Sequence, residues 1–271
     1  MMRSPAAALL RLSGYAVVAA ILLFVILPAI VVLLTAFNDR AILAFPPRSW
    51  SLRWFARAFD YADFRRGFWN GLTVTAWAST LALAAGAAFA IAIHRRDFTL
   101  KRPLEAVLLS PLVIPHYTIG LGLLMLAAQT GAGRGFVLVI LTHVVLVLPF
   151  VIRSIFVSLL NLDTRLELAA AGLGAAPLRV LLTVTLPLLA PGLLGGWLFA
   201  AILSFNEFTA TLFVASQATQ TLPVAMYNYV REFADPTLAA LSVIYIAVTA
   251  ALLTLANICL GLGKVLNVDA R

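Results

Sequence analysis

Residues 161–187 read NLDTRLELAAAGLGAAPLRVLLTVTLP. The stretch interrupts a very apolar chain, and its grammar is that of short helices. Thr164-Arg165-Leu166-Glu167 has the form of a capping box: the Thr164 hydroxyl accepts from the amide of Glu167, and the Glu167 carboxylate reaches back. Ala169, Ala170 and Ala171 are strong helix formers, and Gly172 and Gly174 stop or bend the helix. Pro177 suits the first turn of a second short helix that continues over Arg179 to Leu186, and Pro187 and Pro191 mark the entry to the next apolar run. The expectation is a helix–turn–helix outside the membrane, faced with small residues and able to dock in another protein's groove.

What flanks this stretch is apolar. Of the 271 residues, 63% are hydrophobic and 11% charged, with a mean hydropathy of +1.03. Soluble domains run at about 25% charged, so an ordinary soluble enzyme, a disordered tail and a nucleic-acid-binding domain are excluded. The net charge of +8 then reads as basic residues flanking membrane spans. A lone cysteine, Cys259, allows neither a disulfide framework nor a cysteine-based metal site.

Charged residues are absent between Arg11 and Asp39, Arg66 and Arg95, Glu105 and Arg134, Arg134 and Arg153, Arg179 and Glu207, and Asp235 and Lys264. Six membrane-spanning helices are expected, over residues 13–36, 70–93, 104–128, 136–157, 191–213 and 238–260, in a single transmembrane domain spanning 1–271. Each is long enough for about 30 Å of hydrocarbon, and the Leu- and Ala-rich runs lack the alternation of barrel strands. The fold class is an all-α membrane protein. The first run is too long for the apolar core of a signal peptide and is read as a retained span. Arg153 snorkels at the end of the fourth run.

With both termini in the cytoplasm, eleven of the nineteen Lys and Arg residues lie inside, among them Arg95, Arg96, Lys101 and Arg102 in one short loop. Six of the remaining eight fall in a single long outer loop, 38–69, so the positive-inside rule favours this orientation. In that loop Pro46-Pro47 breaks the chain. Trp54, Phe55, Ala58, Phe59 and Ala62 then recur at helical spacing among Arg53, Arg57 and Arg65, which reads as an amphipathic helix anchored at the membrane surface.

The segment Leu166–Gly174, followed by Val184-Thr185-Leu186-Pro187, resembles the cytoplasmic loop motif of binding-protein-dependent ABC importer permeases: E-A-A, three residues, G, nine residues, I, one residue, L-P. Ala169, Ala170 and Gly174 match, Val184 stands at the Ile position, and Leu186-Pro187 close the motif. Leu168 occupies the motif's Glu position, with Glu167 one residue early. The resemblance implies the type I importer permease fold, with a coupling helix between the fourth and fifth spans seated in a cleft of an ATPase subunit. It assigns Glu167, Ala169, Ala170, Gly174, Val184, Leu186 and Pro187 to that loop. It also implies two copies of the ATP-binding subunit, a second permease subunit, an extracytoplasmic solute-binding protein and a bacterial inner-membrane location. ATP sits on the partner, and this chain binds no cofactor of its own.

Ser204-Phe-Asn-Glu-Phe208, Thr221–Tyr227, Phe45-Pro-Pro47 and Ser51–Trp54 are similar to the second permease subunit of spermidine/putrescine-type importers. Permeases for 2-aminoethylphosphonate, ferric ion and opines share much of this texture.

The chain has no G-x-x-x-x-G-K-[ST], no H-E-x-x-H and no three-glycine dinucleotide fingerprint, so no catalytic or metal residues are assigned. Apart from Glu105 at the very start of the third, Glu207 is the single acid inside an expected span. Two readings stand: a path-lining residue that attracts a cationic substrate, or an acid near the outer end paired with a neighbouring helix or water. Asn206 beside it can hydrogen-bond across helices. Pro115 and His116 in the third span read either as a gating element lining the path or as a kinked packing helix. His143 and Pro149 read as packing. Gly192, Gly195 and Gly196 permit close helix approach. A secondary transporter would call for internal repeats or several mid-membrane carboxylates, and an intramembrane enzyme for a nucleophile motif. The sequence shows neither.

Overall fold

The computed structural model describes residues 5–41, 45–47 and 49–260. Arg3, Arg48, Lys264 and Arg271, which entered the charge count, lie outside the described residues. Among the described residues the regular structure is helical, with one isolated β-bridge between Asn38 and Trp50. The chain divides into two compact units: residues 1–62 with 228–250, and residues 63–227 with 251–271.

The first unit contains α1 (Pro5–Ala36), α2 (Arg53–Asp60) and the start of α12 (Thr237–Leu260). The side chains of α1 from Leu12 to Leu27 are exposed, Phe24 by 78%, as suits a helix whose solvent is lipid. The expected amphipathic helix forms as α2, and part of its apolar face packs on the protein while Phe59 stays exposed. Trp54 and Ala58 are buried, Trp54 packs with Ala36 and Ala240, and its indole N–H donates to the Asn38 carbonyl at 2.6 Å. Arg53 stacks over the Trp54 ring, its guanidinium carbon 4.4 Å from the ring centroid.

Asp235 begins α12 by accepting from the Thr237 amide at 2.9 Å, from the Tyr229 hydroxyl at 3.0 Å and from Arg57 at 3.5 Å. Burial pushes this carboxyl up, but its hydrogen bonds from Thr237 and Tyr229 and the Arg57 charge outweigh burial and hold it below the usual carboxylate range. Such a group contributes stability above its unfolded value of about 3.9, and the contribution is lost as the pH falls through the folded value. In thermal unfolding of detergent-solubilised protein, wild type is therefore expected to outlast Asp235→Asn at neutral pH, with the gap closing below about pH 4. A gap independent of pH would contradict this.

The second unit holds α3 (Ala62–Arg95), α4 (Lys101–Leu109), α5 (His116–Thr130), α6 (Phe136–Leu160), α7 (Thr164–Gly172), α8 (Pro177–Val180), α9 (Leu186–Phe205) and α10 (Thr211–Val214). α11 (Leu222–Glu232) runs from this unit into the first. Its core joins Ala82 and Ala90 of α3 to Val147, Val151 and Ile155 of α6 and to Leu189 and Ala200 of α9. Small residues set the approach. A Cβ on Gly192 or Gly196 would run into Ser158 or Ser154 of α6, and Ser154 donates to the Gly192 carbonyl at 3.0 Å. The strap before α11 is tied to α3 by Asn70, which donates to the Ala218 and Gln220 carbonyls, each at 2.9 Å.

Among the described residues, four helical stretches are long and apolar enough to cross a bilayer: 12–36, Ala62–Arg95, Phe136–Leu160 and Pro177–Phe205. The expected third span is not one helix. α4 and α5 are bent by 108° around a 3-10 turn at Ser110–Leu112, and they make a fifth crossing only if the two halves count together. Ser110 keeps helical backbone and Pro111 sits within the 3-10 turn; the break comes at Pro115, which has extended backbone, lacks an N–H and disfavours helical backbone at the residue before it. In the sixth region, α12 is helical over Thr237–Leu260, with its apolar stretch described as far as Ala251.

The fifth span also differs from its expected 191–213. Its helix begins at Pro177, passes through one π turn at Leu181–Thr185 and ends at Phe205. The second short helix expected after Pro177 is therefore the first turns of this span. Pro187 explains the π turn: it cannot donate to the Thr183 carbonyl and its ring crowds that carbonyl, so the ladder widens and the Leu186 amide bonds Leu181.

Candidate functional site

Two places gather the residues that the sequence singles out, both in the second unit. The first is the 161–187 loop. The capping box does not form as expected: Asp163, not Thr164, caps α7, accepting from the Arg165 amide at 2.9 Å. Glu167 is thereby released from capping. Its carboxylate turns to the body of the unit, where Oε1 accepts from both Arg95 at the end of α3 and the buried Thr185 hydroxyl. Arg95 also reaches the Thr185 oxygen at 3.2 Å. Thr185 is the last residue of the π turn. Leu168, in the motif's Glu position, is 70% exposed. Ala169 is exposed and Ala170 half-buried.

Gly174 ends α7 by its left-handed backbone. At φ +85° its amide bonds Ala171 and the next amide, of Ala175, bonds Ala170, a Schellman arrangement that needs left-handed backbone. Gly172 stays helical. Val184 and Leu186 are half-buried around the π turn, and Pro187 is exposed. Leu166, Leu168, Leu173 and Leu178 leave an exposed apolar surface on this loop.

The second place is the turn after α9. Because α9 stops at Phe205, Glu207 is not inside a span but just beyond its end. Glu207 is 9% exposed and fully engaged: Oε1 accepts from the Ala210 amide at 2.7 Å, and Oε2 lies 2.8 Å from Nδ1 of His116. Glu207 is a carboxylate paired with a neighbouring helix, and it also borders a cavity. That cavity is bounded by His116, His143, Phe150, Ser204 and Glu207, with Leu146, Val147 and Leu203 as apolar wall. Pro115 does not line it. Its extended backbone is the start of α5, and the break there places His116 on the first helical position, facing Glu207. Asn206 does not line it either; its amide nitrogen donates back to Ile202 at 2.7 Å and closes α9.

His143 is the residue that the sequence undervalued. It is fully buried in α6, with Nδ1 2.8 Å from the Ser204 hydroxyl and Nε2 2.8 Å from the Thr211 hydroxyl, so it pins both ends of the Glu207 turn. Arg134 holds the far side by donating to the Phe213 carbonyl at 2.8 Å. The one sequence signal for this role was a histidine within an apolar run, which in isolation reads as packing.

Apolar helices of crossing length, a broken span, and a polar turn buried among them define a multi-pass helical membrane protein. The sequence pattern of binding-protein-dependent transport system inner membrane components matches residues 82–262, and the chain belongs to that family. It is a permease subunit of an ABC importer. It is 30% identical over 236 residues to the spermidine/putrescine transport system permease protein PotC of Haemophilus influenzae, covering 87% of this chain and 91% of that one. It is also 30% identical to the putrescine transport system permease protein PotI of Escherichia coli K12, over 81% of this chain and 80% of that one. Its fold is shared with a solved bacterial ABC transporter involved in the import of the acidic polysaccharide alginate: TM-score 0.70, 14% identity, 94% of this chain and 98% of that chain.

Proposed function

We propose that this chain forms half of the translocation pathway for a small cationic solute of the polyamine class, spermidine or putrescine. The observation that carries the reading is the similarity to spermidine/putrescine and putrescine permeases along most of the chain. The cavity supports it. A carboxylate at one end favours an ammonium group, while Leu146, Val147, Leu203 and the ring of Phe150 suit methylene groups and a cation over an aromatic face. A phosphonate would meet the Glu207 charge unfavourably.

In this reading a solute-binding protein delivers the ligand at the outer face of the bacterial inner membrane, and a second permease subunit completes the pathway. Both termini and the 161–187 loop face the cytoplasm. Each permease loop seats in one of two ATP-binding subunits through the apolar surface of Leu166, Leu168, Leu173 and Leu178. This chain hydrolyses nothing and holds no cofactor. ATP-driven closure of the partner subunits brings the loops together and favours the outward-open state, a shift set by differential affinity for the two conformations.

The test is ligand-stimulated ATPase activity of the assembled complex in proteoliposomes with its binding protein. Spermidine or putrescine is expected to stimulate it, and 2-aminoethylphosphonate, ferric ion and opines are not. The reverse pattern overturns the substrate class. Deleting residues 167–174 is expected to abolish co-purification with the ATPase subunit. Transport by the permease alone, without ATP, would overturn the importer mechanism. Glu207→Gln, which keeps the shape and removes the charge, is expected to reduce polyamine uptake about tenfold, the loss of one charge-assisted contact.

A further inference from the structure

Glu167, one residue before the motif position, is not available to a docking partner. Its residue is half-buried, its side chain is 18% exposed, and its Oε1 is shared by Arg95 and Thr185. These three side chains come from three elements: the last turn of α3, the first turn of α7, and the π turn that leads into α9. The next residue, Leu168, points away and is exposed. The loop thus divides its labour between an outward apolar face and an inward charged clasp. Helix α7 is short, and its Schellman end and glycine turn would otherwise leave it hinged.

We infer that Arg95, Glu167 and Thr185 form a latch that makes the 161–187 loop move as one body with the ends of α3 and α9. These are positioning residues: they touch neither substrate nor ATP. A push on α7 from a partner then displaces two spans together, and without the latch the same push is absorbed by rotation of α7 about Gly174. The π turn belongs to the device, since a regular helix there would aim Thr185 elsewhere. The inference rests on the reading that an ATPase subunit docks on this loop.

The experiment compares Arg95→Ala, Glu167→Ala, Thr185→Val and the reversed pair Arg95→Glu/Glu167→Arg in the complete transporter. The single variants are expected to co-purify with the ATPase subunit, while binding-protein-stimulated activity and uptake fall about tenfold, the size of a lost coupling between two sites. The reversed pair is expected to recover most of that loss. In inverted membrane vesicles, trypsin is expected to cut faster after Arg165 in Arg95→Ala and Glu167→Ala than in wild type. Glu167→Ala losing the ATPase subunit while Arg95→Ala keeps it would make Glu167 a partner contact and overturn the latch. Full stimulation in both alanine variants also overturns it. Should the reversed pair not accumulate, Thr185→Val decides: reduced stimulation with the dock intact supports the latch, and wild-type stimulation overturns it. If wild type itself binds no ATPase subunit, the proposed function fails, and trypsin sensitivity still tests the clasp.

Discussion

Gly120→Val is expected to abolish uptake and lower the midpoint of thermal unfolding of the detergent-solubilised subunit. A Cβ at this position would sit 2.7 Å from the carbonyl oxygen of Ala210 and 2.8 Å from its Cα, distances that side chains do not tolerate. The obstacle is backbone and cannot rotate aside. Either α5 must withdraw or the 206–210 turn must shift, and that turn carries Glu207. Overpacking typically costs about 1–3 kcal/mol, occasionally more, and here the strain falls on the His116–Glu207 pair, 2.8 Å apart. Gly122 supplies the control, because a Cβ there meets nothing within 4 Å. Gly122→Val is expected to leave the subunit's unfolding midpoint near wild type. Equal midpoints for the two variants would show that α5 is not clamped against the turn.

His143→Ala is expected to cost about 2–4 kcal/mol of stability, chiefly as a cavity, and to loosen the Glu207 turn enough to impair uptake. Its two ring nitrogens hold the Ser204 and Thr211 hydroxyls, one on each side of Glu207. Which loss dominates can be decided by magnitude. Hydrogen bonds between helices inside a membrane average only about 0.6 kcal/mol, because the released hydroxyls find other partners. Thr211 already lies 3.4 Å from the Glu207 carbonyl. The ring's volume therefore outweighs its bonds, and His143→Phe is expected to be more stable than His143→Asn by thermal unfolding. Uptake should rank the other way if the bonds position Glu207. Asn outranking Phe in stability would mean that the polar network, not packing, holds the turn.

Much of this protein was legible in the order of its residues. Long uncharged runs require helices, because a bilayer offers no partner for unpaired backbone groups. The glycine at 174 and the prolines at 177 and 187 mark the loop's geometry by their own backbone rules, and the motif spacing survives intact around them. The broken third span was half legible: Pro111 and Pro115 announced a disturbance, but not a bend of 108°. A proline removes a hydrogen bond wherever it stands, and the neighbours decide whether the helix kinks or ends.

The partners of the polar side chains were not legible, and there the first expectations went astray. Thr164 and Glu167 satisfy the sequence form of a capping box, yet Asp163 takes the cap, and Arg95, seventy-two residues away, takes the carboxylate. Glu207 counted as an intramembrane acid because no charge precedes it for a full span, yet the crossing stretch starts early, at Pro177, and ends with α9 at Phe205. His143 looked inert until packing set it between Ser204 and Thr211, sixty-one and sixty-eight residues away. Sequence alone determined the solvent of each segment, lipid or water, since that depends on local composition and period. Tertiary structure alone decided which buried polar group meets which, since a desolvated donor must pair with whatever packing brings within about 3 Å.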